Sequence, residues 1–174
     1  NPALTISEEI QDRHLPTDTI VDPIFDSPDG WTITGYRRFA DSAIWSGHHL
    51  AAEAYRYAVT KSPEAEADAA RILHGITRLI HVSGKPGLLA RFAWPVEDTA
   101  MFDNVKREEG DPIFTGSFEG RSYSWLDNVS RDQYSGVMFG LGVAYELLDD
   151  PALKDEIRKD ASAVVSFLSG NLWN

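Results

Sequence analysis

RDQYSGVMFGLGVAYELL, from Arg131 to Leu148, carries apolar side chains on almost every helical face: Val137, Met138, Phe139, Leu141, Val143, Ala144, Tyr145, Leu147 and Leu148. A helix that is apolar all round is expected to be buried all round. Asp150-Pro151 then supplies an N-cap and a first helical residue. The helix that follows is striped. Leu153, Ile157, Ala161, Val164, Val165 and Leu168 share one face, Lys154, Glu156, Arg158 and Lys159 lie opposite, and Ser169-Gly170 closes it. The pair predicts an inner helix followed by an outer one.

The same pattern stands once before, about ninety positions upstream, a period far longer than the roughly twenty to fifty residues of common solenoid repeats. Asp41 to Thr60 reads as the first inner helix, with Ala43, Leu50, Ala51, Ala54 and Ala58 on one stripe and Ile44, Trp45, Tyr55 and Tyr57 on other faces. Ser62-Pro63 opens the outer helix, Glu64 and Glu66 suit its first turn, and Ser83-Gly84 ends it. The two hairpins therefore span about 41–84 and 131–170, with a long insertion, 85–130, between them. Within the insertion, Thr115 to Trp125 alternates around Glu119-Gly120 and predicts a small β-hairpin. Residues 1–40, broken by Pro16, Pro23 and Pro28, read as an ordered but irregular arm with a helical turn near Ser7–Arg13. The fold class expected is all-α: helical hairpins forming part of a ring of inner and outer helices, rather than the four similar stripes of a simple four-helix bundle.

Composition narrows the function classes. The hydrophobic fraction of 43% and charged fraction of 25% are those of an ordinary globular chain. A formal charge of −11 argues against a nucleic-acid partner, which needs clustered Lys and Arg. No run approaches the roughly eighteen apolar residues of a spanning helix, so no membrane insertion is expected. The absence of cysteine removes thiol nucleophiles and thiolate metal sites. The chain starts at Asn1-Pro2, so either a leader has been removed or it is one segment of a longer product; export to the periplasm or outside is the expectation.

Two helix openings gather the chemistry. Asp41 and Asp132 start the two inner helices, and paired carboxylates can act as acid and base in glycoside hydrolysis or proton abstraction. Their competing role is as N-caps. Arg131 can clamp a carboxylate, or simply fix the loop, and Arg91 can add positive charge at the same end. Gln133 can orient a ligand, while Trp45, Trp125 and Tyr134 can stack on a sugar face or pack in the core. His48-His49 invites a metal reading because His49 and Glu53 share a helical face, but no third ligand stands at a telling distance. His48 is kept as a binding candidate and no metal is expected. Neither a P-loop nor GxGxxG is present, and no cofactor is expected.

The stretches Asp41 to Tyr55 and Ser130 to Tyr145 resemble a group of exported bacterial proteins of unassigned function over about residues 20–170. More distantly, the hairpins resemble the (α/α)6-toroid superfamily of sugar epimerases, glycoside hydrolases and polysaccharide lyases. The resemblance implies a ligand funnel at the end of the inner helices near Asp41 and Asp132, and a saccharide ligand. It also implies that another polypeptide, or the rest of the same precursor, completes the ring, because two hairpins cannot close six. Two function classes stay open: a carbohydrate-active hydrolase, lyase or epimerase, and a non-catalytic accessory subunit.

Overall fold

The computed structural model describes residues 2–105 and 110–171. Helix α1 (Pro2–Glu9) runs into a π-helical turn (Ile10–His14), then strands β1 (Asp22–Phe25) and β2 (Ile33–Arg37). A 3-10 turn (Phe39–Asp41) leads into α2 (Ser42–Thr60), and α3 (Pro63–His81) folds back along it. Strands β3 (Phe92–Pro95), β4 (Ile113–Phe118) and β5 (Arg121–Leu126) precede α4 (Arg131–Leu147) and α5 (Pro151–Asn171).

The expectation of an all-α fold is overturned: the chain is mixed, 56% helical and 15% strand, with two antiparallel sheets. One sheet, β1–β2, lies inside the stretch read as an irregular arm. Pro23 sits in β1 opposite Tyr36, tolerated because β1 pairs on one edge only. The expected hairpin is real, β4–β5 with Thr115 opposite Ser124, but it is part of a three-stranded sheet in the order β3-β5-β4. Strand β3 is four residues long, buried throughout and closed by Pro95, so it shows neither alternation nor length.

The helical core is built chiefly from α3, whose Ile72, Leu73, Ile76, Leu79 and Ile80 have no exposed surface. This inverts the inner–outer expectation. α3 is packed against α2 on one side and receives the N-terminal segment on the other, where Arg71 donates to the carbonyls of Gln11 and Leu15. α4, apolar all round, instead leaves Phe139 46% and Tyr145 41% exposed. A second core joins the sheets: Tyr36, Phe39, Phe92, Trp94 and Phe102 form an aromatic cluster with ring centroids 5.1–6.2 Å apart.

α2 and α4 lie parallel and in backbone contact. Their starts meet through Gln133 and Asp41, and their ends meet where Tyr57 donates to Asp149 at 3.0 Å. A Cβ at Gly47 would fall 2.1 Å from the Gly136 carbonyl oxygen, and one at Gly140 2.2 Å from that of Gly47. Only glycine permits that approach. No helix among the described residues is long and apolar enough to cross a membrane.

Candidate functional site

The two helix openings do come together, through a residue that is itself fully buried. Gln133 Nε2 donates to Asp41 Oδ1 at 3.1 Å, and Gln133 Oε1 accepts the Ile44 N–H at 2.9 Å. Gln133 thus caps α2 from another helix. Asp41 makes no side-chain cap to its own helix; it holds the far end of the Gln133 amide. Asp132, exposed on α4, accepts the Gln133 N–H at 3.1 Å, and the Ser130 hydroxyl holds its carboxyl below the usual carboxylate range, with the Arg91 charge adding to the effect.

Arg91 stands beside this pair but is already engaged. It donates to Asp111 at 3.2 Å and to the Ser130 hydroxyl at 3.0 Å, while its Nε is buried without a partner. Arg131 is exposed and, among the described residues, in no ion pair. Tyr134 serves structure: its hydroxyl accepts the Leu89 N–H and donates to the Gly87 carbonyl, both at 3.1 Å, which pins the segment after α3 onto α4. Trp125 is 5% exposed in β5, its ring 5.3 Å from that of Phe114. Trp45 is half-buried on α2. His48 is exposed, donates Nδ1–H to the Ile44 carbonyl at 2.8 Å, and lies 5.3 Å from the Phe139 ring.

Exposure along the paired helices has a pattern that the sequence alone hid. On α2 the outward positions are Trp45, His48, Ala52, Tyr55 and Val59, below Asp41; on α4 they are Asp132, Ser135, Phe139, Gly142 and Glu146. Steps of three and four residues make each a straight stripe, and the stripes meet at His48 and Phe139. One end of this two-helix face is polar, with Asp41, Arg131 and Asp132; towards the other, α2 presents Tyr55 and Val59 and α4 presents Phe139, with Glu146 beyond it. Beside it, α4 and α5 leave an apolar groove of about 540 Å³ between Met138, Leu141, Tyr145, Ile157 and Val165.

A further polar cluster was only half visible in the sequence. His49 and Glu53 share a face of α2 as expected, but their partners, Ser7 and Gln11, come from the N-terminal segment. No helical periodicity links residues some forty positions apart, so nothing in the sequence joins them. Among the described residues, no group of three or more His, Asp or Glu side chains is placed to hold a metal ion.

Set against protein-family models, curated proteins and solved structures, the chain matches none of them.

Proposed function

We propose that the polar end of the α2–α4 face binds a saccharide or a similar polyhydroxylated ligand. The observation that carries this is the buried Gln133, which fixes two exposed helix starts so that Asp41, Arg131 and Asp132 stand together, with Trp45 one turn below Asp41. Carboxylates accept sugar hydroxyls, a guanidinium adds fixed donors or binds a uronate, and an indole offers a flat apolar surface. The hydrogen bonds favour binding over turnover. Asp41 accepts an amide N–H, and Asp132, held below the usual carboxylate range, accepts a hydroxyl and a backbone N–H, which supports acceptors for ligand hydroxyls rather than an acid poised to give up a proton.

Calorimetric titration with neutral and uronate oligosaccharides tests this. At least one series binds, and Asp132→Asn and Trp45→Ala each weaken it about tenfold, the loss of one good hydrogen bond or stacking contact. Failure of every saccharide to bind, or wild-type affinity in both variants, sinks the reading.

A second reading is favoured by the α4–α5 groove: an accessory module that docks another polypeptide there. Phe139 at 46%, Tyr145 at 41% and Val165 at 53% exposure make an apolar strip next to the groove. An isolated chain that sediments as a monomer and leaves an apolar dye dark would remove this reading.

A further inference from the structure

Helix α1 is held to the molecule in an unusual way. Its only buried residue is Ser7, while its Leu4 and Ile6 are 43% and 58% exposed. Facing them across a cleft of about 480 Å³ are Tyr55 and Val59 of α2, 53% and 86% exposed. The walls are thus apolar and unfilled, and the floor is polar: Glu53 is 2% exposed and His49 7%. Apolar walls around a few convergent polar groups are the usual composition of a small-molecule site.

The protons on that floor can be counted. Ser7 donates to Glu53 Oε1 at 2.5 Å and accepts from Arg56 at 2.9 Å. Gln11 Nε2 lies 3.4 Å from His49 Nε2, and an amide nitrogen only donates, so His49 Nε2 is an acceptor and the ring proton sits on Nδ1. Burial, with Arg56 and His14 adding, lowers the imidazole to about 4, so it is neutral at neutral pH. Its Nε2 lies 3.8 Å from Glu53 Oε1. Ser7 thus satisfies Oε1 and Gln11 the ring nitrogen, whereas Glu53 Oε2 is buried with no hydrogen-bond partner among the described residues. The charges do not balance either: the single Arg56 guanidinium serves both Glu53, at 3.0 Å, and Asp68, at 2.9 Å. A buried carboxylate that, among the described residues, shares its one ion-pair partner is an incomplete ion pair.

We propose that this cleft binds a primary ammonium cation on an apolar body, the nitrogen donating to the unpartnered Glu53 Oε2 beside the His49 ring. The ammonium brings the missing donor to Oε2 and the missing positive charge together. A carboxylate ligand is rejected by Glu53, and an alcohol supplies a proton but no charge. The proposal is independent of the saccharide reading, which concerns the other end of α2.

The test is calorimetric titration at pH 7 with n-hexylammonium, 1-hexanol and hexanoate on the whole chain, with the His49 imidazole carbon shift followed by NMR. Hexylammonium binds and moves the His49 signal, hexanol binds at least tenfold more weakly, and hexanoate does not bind. Glu53→Gln, checked for folding by circular dichroism, loses at least tenfold in hexylammonium affinity. Because Glu53 is part of the clasp on α1, a second variant guards against misfolding: Val59→Lys, at an exposed position, sets a resident ammonium at the cleft mouth and weakens hexylammonium binding severalfold. The proposal is overturned if hexylammonium does not bind, if hexanol or hexanoate binds as well as it does, or if a folded Glu53→Gln and Val59→Lys both bind it unchanged.

Discussion

Gln133 and Asp41, ninety-two positions apart, are joined by a 3.1 Å N–H···O bond whose donor amide has no exposed surface. The same amide's oxygen accepts the Ile44 N–H at 2.9 Å, so one side chain closes the first turn of α2 and locks it to α4. A free N–H in a helix's first turn normally goes to a residue just upstream. Here the donor is satisfied from another helix, which frees Asp41 to face outward.

Gln133→Leu keeps the volume and removes both bonds, leaving the Ile44 N–H and one Asp41 oxygen without this partner. The expected loss is about 2–3 kcal/mol, a lost cap plus an unsatisfied buried donor. Urea denaturation measures it. A double-mutant cycle with Asp41→Ala isolates a coupling of about 1 kcal/mol, and strict additivity would show that the Asp41–Gln133 bond carries nothing.

Two glycines on neighbouring turns should respond in opposite directions. Gly47→Ala puts a methyl 2.1 Å from the Gly136 carbonyl oxygen, so α2 and α4 must separate along their closest approach. A loss above about 4 kcal/mol, or failure to fold, is expected. Gly142→Ala, in the interior of α4, meets nothing within 4 Å and gains helix propensity, so it should stabilise by about 0.5–1 kcal/mol. Thermal melts of the two variants decide the matter, and a harmless Gly47→Ala would mean the helices do not touch there.

The contrast between those positions marks how far the sequence could be read. Helix signals were local, so the Ser62-Pro63 and Asp150-Pro151 starts place α3 and α5 correctly, and the Glu119-Gly120 turn lies at the tip of the β4–β5 hairpin. Strands β1, β2 and β3 were not legible, being four or five residues long and interrupted by Pro23, Gly35 and Pro95. Burial was misassigned for a tertiary reason. Amphipathic α3 is covered on its polar side as well, by the N-terminal segment, whose carbonyls accept from Arg71 and Arg78 of α3, whereas apolar α4 presents Phe139 outward. The helix starts that carry Asp41, Asp132 and Gln133 are legible locally, because first-turn residues mark them. The trans-cap itself, and the donors Ser7 and Gln11 over His49 and Glu53, required the fold.

The buried His49 makes stability depend on pH with a definite sign. Its folded value is about 4 against 6.5 for a free imidazole, so between these values the unfolded chain binds more protons than the folded one. Stability from this group is therefore full above about pH 6.5, falls as pH drops towards 4, and is level below, a loss of up to about 3 kcal/mol. Glu53 acts in the opposite sense: burial raises its carboxyl, so the cost of keeping it charged is recovered as pH falls through its folded value. Subtracting the urea stability of His49→Gln from that of the parent at each pH removes the shared Glu53 contribution to first order. The difference should shrink between pH 7 and 4; a flat difference would mean the imidazole titrates alike in both states.

Tyr134 separates a packing role from a ligand-stacking one. Its ring is half-buried and its hydroxyl is used twice, accepting from Leu89 N–H and donating to the Gly87 carbonyl. That segment has little freedom, because Gly87 lies at φ +89° with its backbone so close to α5 that a Cβ would fall 2.2 Å from the Ala163 carbonyl oxygen. Tyr134→Phe keeps the ring for stacking but leaves a backbone donor and an acceptor without their partner. It should cost about 1–3 kcal/mol in stability and leave saccharide affinity within about twofold. Trp45→Ala, whose indole makes no such bond among the described residues, should do the reverse, weakening saccharide binding more than folding. Paired urea and calorimetric titrations give both quantities. If Tyr134→Phe weakened binding with no change in stability, the hydroxyl would belong to the ligand and not to the Gly87–Leu89 turn.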